Sequence, residues 1–313
     1  IMLHAKDSPP VKTQVLSVLE PHVNEPAIRS VRRLALAGPD EQGFAAAGCE
    51  VQLADRTDTL LASADGSISR TAGSFRLAGR FGFYSERAGV PVAISLVGGT
   101  QLAKDGCGIA MESPEYRAKI VTVDRDTQTI TVSPPPHDVT ALLGADIFIR
   151  NPDRRIAYRV LEAKAAGDGA QLRLNYDSRI GTGRCIGAAD HRVLTSTPMP
   201  LQRFRYYHGA RLTNAERNVE YRIVDVRSGS AVFLDAKAHA DATAAKLAGQ
   251  FPKESWFDIY DYGVGDELIW PYTASVTLVS PGQYRVTAPV PVQVSLPKGA
   301  RHGRAAGVSP PGL

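Results

Sequence analysis

Apolar and polar residues alternate with a period of two along most of this sequence, the pattern of half-buried strands rather than of amphipathic helices. Ile120-Val121-Thr122-Val123-Asp124 and Thr129-Ile130-Thr131-Val132 flank Arg125-Asp126-Thr127-Gln128, which reads as a β-hairpin. The same pattern predicts strands at Asp146–Ile149, Ala157–Leu161, Gln171–Leu174, Tyr221–Val226, Ala231–Leu234, Phe257–Tyr260 and Ala274–Val279. β-Branched and aromatic residues occupy these runs, as a pleated surface favours. Helix signals are few. Asp138 can cap a short turn through Leu142-Leu143 that ends at Gly144, and the alanine-rich segment from Ala236 to Ala248 is closed by Gly249. The expectation is an all-β chain with very little helix.

Two levels of organisation are visible. Asn151-Pro152-Asp153-Arg154 leads to Tyr158-Arg159-Val160, and Asn214-Ala215-Glu216-Arg217 leads to Tyr221-Arg222-Ile223, each preceded by Gly-Ala (Gly144-Ala145 and Gly209-Ala210). Tyr-Arg also occurs at Tyr116-Arg117 and Tyr284-Arg285, so the expected starts fall at residues 116, 158, 221 and 284. A turn-forming Asn, an Arg bonding across the turn and a Tyr entering a strand suit a repeated β module. The plain account of the repeat is scaffold; the alternative is one ligand site per module. The first hundred residues read instead as an antiparallel β-sandwich portion, with strands at Gln14–Leu19 and Ala93–Val97 and glycine corners at Gly79–Gly82 and Gly98-Gly99. The predicted division is a sandwich portion over residues 1–112, tandem β modules over 113–296 and a disordered tail over 297–313.

Composition narrows the class. Apolar residues at 43% and charged residues at 22% are ordinary for a globular protein, and 28 Gly with 21 Pro fit many turns. A net charge of +4 is too small a bias to imply nucleic acid, and no apolar run reaches the ~18 residues of a membrane helix. Cys49, Cys107 and Cys185 form neither an even set nor a C-x-x-C pair, so neither a disulfide framework nor a zinc knuckle is expected. The opening Ile1-Met2-Leu3 reads as the start of an internal fragment of a longer protein.

The motifs of phosphate loops, hydrolase elbows and zincins are absent, and the seven histidines are scattered singly. Three clusters stand above this background. His22 and Asn24 lie in a Pro-bounded loop that runs into Arg29 and Arg32, a set able to meet a carboxylate bidentately. In Arg203-Phe204-Arg205-Tyr206-Tyr207-His208, alternation puts Arg203, Arg205 and Tyr207 on one face and His208 on the other. A cationic, aromatic strip of this kind suits an acidic sugar. The third cluster, Asp258, Asp261, Asp266 and Glu267, lacks the spacing of a calcium loop and reads as a turn around Gly263-Val264-Gly265. No metal or other cofactor is expected.

Several stretches resemble the C-terminal β region of heparinase II/III-like polysaccharide lyases. They are Val15–His22 with Ile28–Arg33, Asp55–Leu61, Gly79–Gly82, Leu96–Thr100 and Asp258–Asp266. The resemblance implies a secreted or periplasmic enzyme in which an N-terminal α/α toroid sits with a β-sandwich and cleaves uronate-containing polysaccharide by β-elimination. It implies two partners, the acidic polysaccharide and the toroid of the same protein, with no nucleic acid and no membrane. In that family the Tyr, His and Asn of catalysis come mostly from the toroid, and this sequence has no run of amphipathic helices to build one. No catalytic residue carries over, and the chain alone is expected to be inactive. The other reading open at this level is a non-enzymatic carbohydrate-binding or structural β module of a surface or fibre protein.

Overall fold

The computed structural model describes residues 15–39, 45–200 and 205–304. Walking the chain, β1 (Ile28–Leu34), β2 (Ala46–Leu53), β3 (Thr57–Ser63), β4 (Ser69–Ala72), β5 (Phe75–Arg87), β6 (Val90–Lys104) and β7 (Cys107–Met111) come first. Next are β8 (Glu115–Asp124), β9 (Thr129–Ser133), β10 (Asp146–Arg150), β11 (Arg155–Ala166) and β12 (Gly169–Leu174). They are followed by β13 (Arg179–Ala189), β14 (Arg192–Thr195), β15 (Arg211–Asn214), β16 (Glu220–Arg227), β17 (Ala231–Leu234), β18 (Trp256–Tyr260) and β19 (Glu267–Pro271). The last described elements are β20 (Thr273–Ser280), β21 (Gln283–Thr287), β22 (Val292–Ser295) and β23 (Arg301–Arg304). The all-β expectation holds, with one short α-helix among the described residues, α1 (Ala244–Gln250).

Two compact units result. One takes the described residues up to Tyr116 and those from Pro271 onward; the other is Arg117–Trp270. The first unit is an 11-stranded sheet built from β1 to β7 and β20 to β23. Its spine is the β5–β6 hairpin, turned at Ala88-Gly89 with positive φ at both residues, as a tight hairpin turn demands. Leu77, Ile94, Leu96 and Leu102 of that hairpin are fully buried. β6 also pairs with β20, Val97 opposite Thr273, so the edge that β6 would expose is covered by chain from the far end of the sequence. The stretch expected to hold modules up to residue 296 is therefore left at Pro271. Nor is the segment after Pro297 all without structure: β23 lies parallel beside β21, and Arg301 N–H bonds to the Gly282 carbonyl at 2.8 Å. Backbone pairing to an open strand edge orders it without any apolar period.

One predicted strand is missing. Residues 15–20 are irregular, and Val15 (58%) and Leu19 (87%) are exposed; Gln14 lies outside the described residues. A run of apolar residues becomes a strand only beside a ladder partner. Here the chain bends at residues 23–25 after the run, and the Glu20 carboxylate accepts the N–H groups of Ala27 (2.5 Å) and Ile28 (2.9 Å), at the point where β1 begins.

The second unit holds two closed six-stranded barrels. Read around the first barrel, the order is β8-β9-β12-β11-β10-β19; around the second it is β13-β14-β17-β16-β15-β18. Numbering the strands of each barrel one to six along the chain gives the same cyclic order, 1-2-5-4-3-6, for both. The second barrel is thus a complete copy of the topology, inserted between the fifth and sixth strands of the first. Its core is closed by Leu212, Ile223, Val232, Leu247, Phe251, Phe257 and Ile259, all fully buried. Each buried side chain of this size is worth about 1.5–3 kcal/mol against exposure. Helix α1 begins later than the alanine content suggests, because Thr243 caps it by accepting from Lys246 N–H, while Asp235 ties residues 237 and 238 into a turn.

The repeat is real at two of its four expected starts. Tyr158 in β11 sits opposite Ile147, and Tyr221 in β16 sits opposite Leu212. Both tyrosines lie in the fourth strand of their barrel and both are buried. Tyr116 lies in the first strand of a barrel and Tyr284 in the large sheet, so those two Tyr-Arg pairs are not equivalent to the others.

Candidate functional site

The seam between the barrels is where the sequence concentrates its buried charge. Asn151 follows β10, and its Oδ1 accepts the N–H groups of Asp153 (2.9 Å) and Arg154 (2.7 Å), a side-chain mimic of a backbone turn. Its amide nitrogen donates to the Asp261 carbonyl at 3.2 Å. Gly209 closes against this loop with φ +74°, and a Cβ there would lie 2.4 Å from Asn151 Oδ1, so only glycine fits.

Three arginines are locked into the seam. Arg154 pairs with the Oδ1 of Asp261, whose Oδ2 accepts the Tyr158 hydroxyl at 2.8 Å. Arg125, from the β8–β9 turn, donates to Ser178 Oγ (3.0 Å), Glu220 Oε2 (3.1 Å) and the Tyr262 carbonyl (2.5 Å). Its guanidinium lies 4.3 Å from the Tyr260 ring centre and 5.2 Å from that of Tyr262. Arg211 meets Asp266 at 2.5 Å, with both side chains buried. Burial pushes the Glu220 carboxyl up from the ordinary glutamate value, against the pull of Arg211 and Arg125. Burial likewise raises the Tyr158 and Tyr262 hydroxyls.

Where the seam opens to solvent it forms a cleft of about 440 Å³, lined by Asp153, Arg154, Arg155, Ile156, Arg205, Tyr206 and His208. The Arg154 guanidinium lies 4.8 Å from the Tyr206 ring centre, and its Nη1 is buried without a hydrogen-bond partner. Arg155 packs on the Phe148 ring at 4.0 Å. Arg205, with a side chain 72% exposed, stands 3.5 Å from Asp153 and donates through Nε to His208 Nδ1 at 3.0 Å. The His208 Nε2 is 3.6 Å from Asp225, so both ring nitrogens have neighbours. Three guanidinium groups line the cleft, offset by Asp153, Asp261 and, beside His208, Asp225. Its chemistry is that of an anion-recognition site with an aromatic wall.

The predicted site residues divide between the units. His22 and Asn24 share an exposed loop closed by His22 Nδ1 to the Asn24 carbonyl at 2.8 Å. Arg32 is engaged by Glu50, both oxygens at 3.2 Å, and Arg29 is exposed at the irregular start of β1. In the second unit Arg205 and His208 come together at the cleft. Tyr207 does not join them: residues 205–209 form a turn rather than a strand, and Tyr207 is 2% exposed in the barrel core, its ring 5.2 Å from Tyr206. The positive φ of Arg205 breaks the alternation on which the strip depended. Arg203 lies outside the described residues. The acidic cluster is dispersed into pairs, Asp258 with Tyr260 and Arg179, Asp261 with Arg154, Asp266 with Arg211, and Glu267 with Arg117 and Arg150. Among the described residues no group of His, Cys, Asp and Glu is placed to hold a metal ion. Asp153, Arg154, Arg155 and Tyr206 were not singled out as ligand contacts from sequence. The one signal was the Asn-x-x-Arg repeat, which marks Arg154 as a turn residue.

No protein-family model matches this sequence, and no curated protein and no solved structure matches it.

Proposed function

We propose that this chain is the accessory β portion of a polysaccharide lyase of the heparinase II/III-like kind, secreted or periplasmic, which holds a uronate-containing polysaccharide without cleaving it. The observation that supports the reading is the arginine-lined, aromatic-walled cleft at Arg154, Arg155, Arg205 and Tyr206. A uronate presents a carboxylate to a guanidinium fork and a ring face to an aromatic side chain. β-Elimination asks for more: a neutralised carboxylate, a base within reach of the C5 proton and an acid for the leaving oxygen. The tyrosines of the seam are poor bases, since burial raises their hydroxyls and Tyr158 donates to Asp261. Catalysis would then belong to a toroid partner of the same protein. No helix of the described residues is long and apolar enough to cross a membrane. A purely structural module of a surface or fibre protein is the second reading, favoured by the nesting of two topologically identical barrels.

The test joins two measurements on the purified chain. Incubation with a panel of uronate polymers, followed by ultraviolet absorbance of the unsaturated product, is expected to show no turnover. Calorimetric titration with an oligogalacturonate is expected to show binding that weakens at least tenfold in Arg205→Ala and Tyr206→Ala. Sustained turnover abolished by changing one Tyr or His would move the active site into this chain; absence of binding would leave the structural reading.

A further inference from the structure

The largest exposed aromatic on the second barrel is Trp256, at the start of β18 and 57% exposed. Along β18, Phe257 and Ile259 point into the barrel core, which by alternation puts Trp256, Asp258 and Tyr260 on the outer face. Single exposed apolar residues are common and need no ligand. Trp256 differs in its neighbours. Its cross-strand partner in β13 is Arg184, and the partner of Asp258 there is Thr182. Paired Cβ atoms lie about 4.5–5.5 Å apart, so the indole and the Arg184 stem are adjacent. Arg184 pairs with Glu254 at 2.8 Å, both side chains about half exposed. Asp258 accepts from the Tyr260 hydroxyl at 3.2 Å and stands 3.8 Å from Arg179. On the other side of Asp258, across the ladder to β15, Thr213 has a buried hydroxyl without a partner.

We propose that this outer face is a second saccharide contact, which stacks a neutral pyranose ring on Trp256 and bonds its hydroxyls to Asp258 and Arg184. The occupant follows from the chemistry of the rim. An apolar protein surface laid on Trp256 would strip water from Asp258, Arg184 and Glu254 and give nothing back, at a cost of kcal/mol per group. A pyranose offers C–H groups to the indole and, at the ring edge, hydroxyls that both donate and accept. A carboxylate acceptor and a guanidinium donor beside the aromatic ring match a pair of neighbouring hydroxyls. A uronate gains no net attraction here, since Asp258 and Glu254 offset Arg179 and Arg184. This inference rests on the saccharide reading above but uses a different face and a different chemistry from the cleft.

The chain supplies its own reporter. It has two tryptophans, and the other, Trp270, is 8% exposed. Titration of the full chain with cellohexaose and with maltohexaose is expected to shift the tryptophan emission to the blue and reduce acrylamide quenching for at least one of them. Asp258→Asn, which keeps the reporter, should weaken that binding about tenfold. Trp256→Ala should abolish the heat of binding while the far-ultraviolet spectrum stays that of the parent. Arg205→Ala should leave the neutral-sugar signal intact. No response to either neutral oligomer overturns the inference, as does a response that persists in Trp256→Ala or one given only by oligogalacturonate. Failure of the cleft reading is separate: it appears as loss of oligogalacturonate binding, or its indifference to Arg205→Ala, with the Trp256 response unchanged.

Discussion

Asp261 is the residue on which the seam turns. Its two carboxylate oxygens serve Arg154 and Tyr158, and its carbonyl receives Asn151. Asp261→Ala strands a buried guanidinium and a buried hydroxyl together, and breaking such a pair costs about 3–5 kcal/mol. Urea denaturation should show that loss, and the double variant Asp261→Leu with Arg154→Met should recover a good part of it; a neutral outcome for Asp261→Ala would mean that the seam adds nothing to stability. A second expectation concerns pH. His239 Nε2 accepts the Arg222 N–H at 2.8 Å, which requires an uncharged acceptor, and burial, aided by Arg211 and Arg222, holds its pKa below the usual 6.5. A depressed folded pKa contributes stability that is present above pH 6.5 and lost as pH falls through the lowered value. The melting temperature should therefore drop in mild acid, and His239→Gln should flatten that part of the profile. If parent and variant follow the same curve, the bond does not control the titration. None of this was legible in the sequence, where Asp261 and Arg154 stand 107 positions apart as ordinary turn residues. Only barrel closure makes them neighbours.

At the scale of elements, legibility followed locality. The hairpin of β8 and β9 is announced by its own alternation, because its partner lies a few residues away. The Val15–Leu19 run carries the same apolar signal and forms no strand, since a ladder partner is a property of the fold rather than of the run. The Arg-Tyr segment at 205–208 misled in the opposite way: alternation of side-chain type was present without extended backbone. The Asn-to-Tyr repeat marked equivalent fourth strands, yet nothing in it told that one barrel is inserted in the other. That insertion yields an expectation. Residues 178–261 carry all six strands of the second barrel and its core, and β13 pairs directly with β18, so its two ends already meet. Expressed alone, this segment should give a β-type spectrum and a cooperative melt. A disordered product would show that contacts from outside the segment, among them Arg125 over Tyr260 and Arg154 on Asp261, are needed for the barrel to form at all.

For the whole molecule the lesson is that both units are completed by chain that arrives late. The large sheet draws β20 to β23 from beyond Pro271, and the first barrel draws β19 from beyond the entire second barrel. No local pattern announces such joins, and the division expected at residue 112 with modules to 296 missed them for that reason. Insertion also favours one order of events on entropic grounds. The gap between Leu174 and Glu267 would make closure of the first barrel a long-loop search, with each doubling of loop length costing about 0.6 kcal/mol of entropy. Once the second barrel has formed, Arg179 and Tyr260 are held as cross-strand partners, and the search shrinks to the few residues on either side of them. The inner barrel acts as a splint for the outer one. During synthesis it can finish while β19 is still to come, so the sixth strand emerges next to the edge that it must fill.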